Sequence, residues 1–132
     1  MDLEILKIAS NTDNNKKVEK YTHSSKLKNS MCGDEMSITL NVKNLKIVDL
    51  GYQCKSCVYC QASASLLAKL SKKEKLDQIK ELILISLNFF DSDLEKFPKK
   101  WSVLNKVFNK KNFSRKDCIQ LPFKTLLKAL KL

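Results

Sequence analysis

Three cysteines stand three positions apart in the middle of the chain, at Cys54, Cys57 and Cys60. Cysteine thiolates bind soft metal ions and exchange sulfur with other thiols, so this cluster predicts metal or sulfur chemistry. The spacing also matches the opening of a bacterial ferredoxin motif, but that motif needs a fourth cysteine where this chain has Ala64. A thioredoxin-like pair is a weaker alternative, because no alternating strand and helix pattern surrounds the cluster.

Two more cysteines, Cys32 and Cys118, stand alone in distant parts of the chain. Cys32 opens the tripeptide Cys32-Gly33-Asp34, in which the glycine permits a tight backbone path and the aspartate adds a carboxylate oxygen, so both ligands can face one ion. Taken alone, each cysteine is explained as well by a buried thiol. A zinc ribbon needs two paired knuckles and is not favoured. The single histidine, His23, lies in a polar segment and is predicted to be a loop residue.

The cysteine cluster lies between a predicted hairpin and a predicted helix. Apolar residues alternate with polar ones over residues 38–42, which is typical of a half-buried strand, and a second strand can follow a short turn, over residues 45–52. From Gln61 onward the apolar residues follow helical spacing, and Ser63 and Ser65 are small enough for close packing. The positive end of that helix favours thiolates at the cluster.

Helical spacing dominates the rest of the chain, and a short helix is also predicted at its start. Asp91 or Ser92 is predicted to cap one helix, which Pro98 breaks. Pro122 is expected to be tolerated in the first turn of the last helix. Because the strands come before most of the helices, the fold class is α+β. Besides the helix from Gln61, helical spacing is found over residues 3–8, 76–87, 101–108 and 121–130.

The length and charge of the chain bear on its number of domains and on whether it binds nucleic acid. We expect a single domain over residues 1–132, with residues 10–30 forming a loosely ordered polar segment. The formal net charge is +11, but 24 of the 25 basic residues are lysine and one, Arg115, is arginine. Proteins that bind nucleic acid typically use arginine for base contacts and interleave aromatic residues for stacking, so nucleic-acid binding is not favoured.

No feature of the sequence predicts a membrane protein or an exported one. The longest apolar run, residues 82–90, is about half of the roughly 20 residues that a membrane-spanning helix needs. The first residues are acidic where an export signal would be basic. The chain is therefore predicted to be cytoplasmic, where its five thiols stay reduced.

Three motifs, taken in order, resemble the NifU/IscU family of iron-sulfur cluster scaffold proteins. They are a Cys-Gly-Asp ahead of a hairpin (32–34), a cysteine five residues before Ala-Ser-Ala-Ser-Leu-Leu (57–67), and a late Arg-x-x-Cys followed by Leu-Pro and an aromatic residue (115–123). The resemblance covers about residues 30 to 132. The SufU-like branch fits best, because it carries a helical insertion between the second and third cysteines, and here 61 residues separate Cys57 from Cys118. The IscU-like branch has a shorter gap and a histidine at the position of Asp117.

The resemblance implies a SufE/NifU-like fold, with a small antiparallel sheet of about three strands packed against several helices. It also implies one tetrahedral site on Cys32, Asp34, Cys57 and Cys118. Zinc suits these ligands, and a transient iron-sulfur cluster is the other expected occupant. Cys118 is expected to accept sulfur, and Arg115 is expected to stabilise an anion beside it.

The partners implied by the resemblance are a SufS-like cysteine desulfurase and the proteins that receive finished clusters. Two functions remain open: a scaffold that builds a cluster, or a zinc-dependent sulfurtransferase that activates the desulfurase. A structural zinc protein that binds nucleic acid is a remote third alternative. Cys54 and Cys60 depart from the family pattern and are predicted to be either auxiliary thiols or small core residues.

Overall fold

A computed structural model describes residues 3–29 and 33–131. It confirms the α+β class, with helices packed on a three-stranded antiparallel sheet of order β1-β2-β3. In chain order the elements are α1 (Leu3–Ala9), β1 (His23–Lys28), β2 (Glu35–Lys43), β3 (Lys46–Lys55), α2 (Val58–Ser71), α3 (Leu76–Asn88), three 3-10 helices (Phe89–Asp91, Lys99–Lys106 and Lys110–Arg115) and α4 (Lys116–Leu130).

The hairpin predicted from the alternating pattern is formed by β2 and β3, with Ile38 opposite Tyr52. Its two turn residues, Asn44 and Leu45, both have positive φ (54° and 63°), as in a type I′ turn. Alternate side chains of β2 are buried, so one face of the hairpin borders the core. The period-two prediction is therefore confirmed.

The third strand, β1, lies inside the segment predicted to be loose and polar. It pairs with β2 from His23 opposite Leu40 to Lys28 opposite Glu35, so the prediction that His23 is a loop residue is wrong. β1 is at the edge of the sheet and its side chains are at most half-buried, so no run of apolar residues marks it in the sequence. Residues 10–20 contain turns and one isolated bridge.

The predicted start of the last helix and the helix predicted after residue 91 are both wrong. α4 begins at Lys116, five residues before its predicted start, so Cys118 lies in its first turn and Pro122 lies inside the helix. Since proline has no N–H, the Cys118 carbonyl cannot receive the usual bond from four residues ahead. The helix expected to be capped by Asp91 or Ser92 does not form, because a short 3-10 helix ends there and bends follow.

The helix predicted around Trp101 is instead a 3-10 helix, Lys99–Lys106, interrupted at Trp101 itself (φ −109°, ψ 17°). Aromatic packing surrounds this region. The rings of Phe89, Phe97 and Phe108 lie with their centroids 4.9 to 5.6 Å apart, in stacked and edge-on pairs. Packing of these rings, rather than helical periodicity, shapes this part of the chain.

α2 and α4 pack against the sheet and against each other. As predicted, Ser63 and Ser65 allow a close approach, because both are buried in α2. The Ser63 hydroxyl donates a hydrogen bond of 2.6 Å to the Ile119 carbonyl and so joins the two helices. The core includes the fully buried side chains of Ile5, Met36, Leu40, Phe89, Phe108 and Phe123.

None of the helices in the described ranges has both the length and the apolar character needed to cross a membrane.

The polar segment 10–20 crosses the free edge of β3. Its Asn14 carbonyl accepts a hydrogen bond of 2.9 Å from the Tyr52 N–H. Elsewhere on the same edge, the loop between α2 and α3 pairs with the backbone of Ile47. Gly51 lies between these two contacts and directly against the segment, where a β-carbon would have no room.

We predict that Gly51→Ala destabilises the fold. An added β-carbon would collide with the Lys16 carbonyl oxygen and approach Lys16 Cγ to 3.0 Å, and the carbonyl cannot move without lifting the segment from β3. Urea denaturation should show a loss of about 1–3 kcal/mol in the free energy of unfolding. The exposed Gln53→Ala on the same strand should cost less than about 0.5 kcal/mol. Equal stability of Gly51→Ala and wild type would contradict this account of the edge.

Candidate metal centre

Three ligand groups from distant parts of the sequence meet at one end of the sheet. Candidate ligand atoms of Asp34, Cys57 and Cys118 all lie within 4.8 Å of one another. In a tetrahedral site with metal–ligand distances of roughly 2.0–2.3 Å, ligand atoms lie about 3.3–3.8 Å apart. The cluster therefore has nearly the size that a metal ion requires.

Each of these residues lies at the start of a regular element. Asp34 immediately precedes β2, Cys57 immediately precedes α2, and Cys118 is the third residue of α4. Two backbone hydrogen bonds hold Asp34 beside Asn29: the Gly33 N–H donates to the Asn29 carbonyl at 2.8 Å, and the Asn29 N–H donates to the Asp34 carbonyl at 2.7 Å. Gly33 has a φ of 73°, so an L side chain at this position would strain the backbone.

The Asp34 side chain is buried, and one of its two carboxylate oxygens has no partner in the described ranges. Its exposure is 6%, and its Oδ2 atom finds no hydrogen-bond partner among the described residues. A buried carboxylate beside two thiols is costly unless a cation or donor satisfies it. One carboxylate and two thiolates form a donor set that suits zinc or iron, so these residues fit a metal ion.

Cys57 is the N-cap of α2, and the helix begins at Val58, three residues before its predicted start at Gln61. The Cys57 side chain makes no capping hydrogen bond, so its sulfur is available to a ligand. The first amide groups of α2 place partial positive charge beside that sulfur. Cys118 is only 6% exposed, so the centre is partly shielded from water on the α4 side.

The fourth predicted ligand, Cys32, lies outside the described residues and remains a prediction. It immediately precedes Gly33 in the sequence, two positions before Asp34. Within the described ranges, Asp117 is not a member of the cluster.

The structure does not bring Cys54 and Cys60 into the cluster. Cys60 is fully buried in the core, and this burial raises the pKa of its thiol far above the ordinary value. Cys54 is half-buried near the end of β3. Burial also raises the pKa of its thiol; a hydrogen bond with Ser56 opposes the shift, and the nearby Asp34 charge adds to it.

Arg115, predicted to stabilise an anion, lies immediately before α4. Its guanidinium stacks over the ring of Tyr59, with 5.5 Å between the guanidinium carbon and the ring centroid. Tyr59 follows Cys57 by two residues, and sequence reasoning missed it. The available signal was the single arginine in a lysine-rich chain, because arginine stacks on aromatic rings better than lysine does.

Comparison with known sequences identifies the family. Residues 2–102 match the model of the NifU-like N terminal domain. An iron-sulfur cluster assembly scaffold protein, IscU, from Thermotoga maritima is 34% identical over 106 residues, which cover 79% of this chain and 73% of that protein. An uncharacterized protein from Borreliella burgdorferi is 29% identical over 112 residues, covering 85% of this chain and 74% of its own.

Solved structures share the fold. The N-terminal part of a nitrogen-fixing NifU-like protein from Brucella abortus has a TM-score of 0.89 at 15% identity, with 98% of this chain and 91% of that chain covered. A protein assigned as the iron-sulfur cluster assembly scaffold of the SUF system in Fervidobacterium islandicum has a TM-score of 0.87 at 23% identity, with 98% and 96% covered. The chain belongs to the NifU/IscU family of iron-sulfur cluster scaffold proteins.

We predict opposite effects of Asp34→Asn on metal binding and on the stability of the metal-free protein. Zinc affinity, measured by competition with a coloured chelator, should fall at least about tenfold because a ligand is lost. Unfolding in urea with EDTA should show equal or greater stability, because an amide costs less to bury than an unpartnered carboxylate.

Glu35→Gln is the matched control for this substitution. Glu35 is the next residue, is half-buried, and lies 3.9 Å from the Lys28 ammonium group, so its loss should leave zinc affinity unchanged. Wild-type zinc affinity in Asp34→Asn would remove Asp34 from the ligand set.

We also predict unequal alkylation of the two flanking thiols in the metal-free native protein. Iodoacetamide reacts with thiolates, and a raised pKa leaves less thiolate at neutral pH. Cys60 should stay unmodified until the protein unfolds, while Cys54 should react slowly at pH 7 and faster as the pH rises toward its raised pKa. Peptide mass spectrometry would measure both rates. Rapid native labelling of Cys60 would show that it is not a core residue.

Proposed function

We propose that this chain is a SUF-type iron-sulfur cluster assembly protein that accepts sulfur from a cysteine desulfurase at Cys118. Asp34, Cys57, Cys118 and the predicted ligand Cys32 would form the site. The observation that carries the proposal is the convergence of the first three on one point, where an Asp34 carboxylate oxygen has no partner among the residues that the structure describes. Family membership supports the overall function, and the similar SUF-system structure supports the type.

The metal in the resting protein would be held by the Asp34 carboxylate and the thiols of Cys57, Cys118 and Cys32. When bound, zinc would keep these thiols deprotonated and protected from oxidation. Iron, in contrast, is a substrate of assembly, and the finished cluster is cargo that passes to an acceptor protein. The mixed oxygen and sulfur donor set accepts either metal, so the site does not have to be rebuilt between these states.

Sulfur transfer would be a thiol exchange at Cys118. The Cys118 thiolate attacks the outer sulfur of the protonated persulfide on the desulfurase, and a new sulfur–sulfur bond forms. The original bond breaks, its electron pair stays on the desulfurase cysteine as a thiolate, and the proton travels with the transferred sulfur. The step changes no overall oxidation state. Because Cys118 is 6% exposed, the persulfide must reach into the centre from the surface.

Cluster assembly would follow on the same side chains. Converting each transferred sulfur to sulfide takes two electrons, which an external electron-donor protein must supply. Ferrous ions then join the sulfide on the ligands that the chain provides. The Arg115 guanidinium, three residues before Cys118 in the sequence, would stabilise the negative charge that passes from the Cys118 thiolate to the desulfurase thiolate during transfer.

A zinc-dependent sulfurtransferase that activates the desulfurase is the second candidate. The absence of a histidine next to Cys118 favours it, since Asp117 takes that position and is not part of the described cluster. Both candidates share the transfer to Cys118 and differ in what happens next. A scaffold retains iron and sulfide on the chain, whereas a sulfurtransferase keeps zinc and passes on the sulfur.

We predict that Cys118→Ser abolishes sulfur acceptance. The chain, purified without oxygen, would be mixed with a SufS-type desulfurase and free cysteine, and persulfide on each cysteine would be mapped by mass spectrometry. Wild type should gain one sulfur atom at Cys118 and accelerate the desulfurase, and Cys118→Ser should do neither. Cys54→Ser is the matched thiol control and should behave like wild type, because Cys54 lies outside the cluster.

The same preparation separates the two candidate functions. Added ferrous iron and a reductant should give a chain-bound cluster with its visible absorbance if the protein is a scaffold. Retained zinc, strong activation of the desulfurase and no cluster would favour the sulfurtransferase. A wild-type chain that gains no sulfur from the desulfurase would contradict both.

A further inference from the structure

We propose that Tyr59 is a positioning residue, whose ring holds the Arg115 guanidinium beside the metal centre so that it can meet the incoming persulfide. This inference rests on the proposed function. It concerns how the Arg115 side chain is kept near the centre, a role that none of the metal ligands performs.

The contact between these two residues joins the two helix starts that carry the cysteines. Tyr59 lies in the first turn of α2, two residues after Cys57, and Arg115 lies three residues before Cys118. The guanidinium carbon is 5.5 Å from the ring centroid, within the range of a cation–π interaction. The two stacked residues are therefore attached to the backbone within three residues of Cys57 and of Cys118.

Within residues 3–29 and 33–131, the stacking on Tyr59 is the one interaction that the Arg115 guanidinium makes. It forms no hydrogen bond and no ion pair there, although Arg115 carries five N–H donors. Stacking occupies the face of the group and leaves its edge, where the donors lie, open to an anion. Arg115 is exposed, so the persulfide of a docked partner, and the thiolate that it leaves after transfer, can reach the guanidinium.

The choice of residue at position 115 fits this role. Every other basic residue in the chain is a lysine, and a lysine would keep the charge. Only arginine combines a flat face for the ring with several donors along its edge. A free arginine side chain samples many rotamers, so a ring beneath it raises the fraction of time that the donors spend near Cys118.

The test is a single-turnover measurement of sulfur transfer. A desulfurase already loaded with persulfide is mixed with increasing concentrations of the zinc-loaded chain, and persulfide on Cys118 is followed by quenching, alkylation and mass spectrometry. Tyr59→Leu should lower the maximum transfer rate by roughly 2- to 5-fold, the value of an exposed cation–π contact. The half-saturating concentration and the zinc content should stay at wild-type values.

Three further variants sharpen the result. Tyr59→Phe keeps the ring and should restore the wild-type rate. Arg115→Lys should slow transfer to a similar degree, and combining it with Tyr59→Leu should add no further loss, because both remove one interaction. The matched control is Tyr21→Leu, which removes a similar contact, 5.7 Å from Lys17 Nζ, beyond the far end of β1. It should leave the transfer rate unchanged.

Three outcomes would overturn the inference. An unchanged rate in Tyr59→Leu would show that the ring does not position Arg115. A raised half-saturating concentration with an unchanged maximum rate would make Tyr59 a docking contact, and additive losses in the double variant would show that the two residues act separately. A wild-type chain that accepts no sulfur would overturn the proposed function together with this inference.

Discussion

The packing of α2 against α4 is the constraint on which the centre depends. Cys57, just before α2, and Cys118, in the first turn of α4, are 61 residues apart in the sequence. They meet because α2 and α4 lie in contact. Small buried residues on α2 permit this approach, and the hydrogen bond from Ser63 to the Ile119 carbonyl fixes α4 beside it. Ile119 is the residue after Cys118, so the bond sets the position of that thiol almost directly.

Burial of the Asp34 carboxylate beside the two thiols has an electrostatic cost. A buried carboxylate and two thiols are brought together, and the Asp34 oxygen has no donor in the described part of the molecule. Such an arrangement opposes folding until a cation binds, so the free energy of metal binding contributes to the stability of this end of the fold. Stability is supplied elsewhere, by the phenylalanine cluster and the inner face of the hairpin. An exchange of ions at the proposed centre would therefore leave the rest of the fold in place.

Sequence patterns predicted those helices and strands that bury one side and expose the other to solvent. The hairpin alternates at period two for that reason, whereas β1 is an edge strand with half-buried residues and gives no such signal. The start of α4 was missed because its first turn is mostly polar. No spacing rule predicts that Asp34, Cys57 and Cys118 meet, since tertiary packing decides it, and only the order of the family motifs suggested it. The stacking of Arg115 on Tyr59 also depends on where α2 and α4 lie.

The edge of β3 has a further consequence for the behaviour of the sheet. Segment 10–20 pairs with it near Tyr52, and the loop after α2 pairs with it at Ile47, while Gly51 lets the crossing segment lie close. Exposed strand edges are the usual templates on which sheets of separate molecules join. This side is closed by the chain's own backbone, so another molecule cannot add a strand there without first displacing the segment. Segment 10–20 thus covers a strand edge on which aggregation by strand addition could otherwise begin.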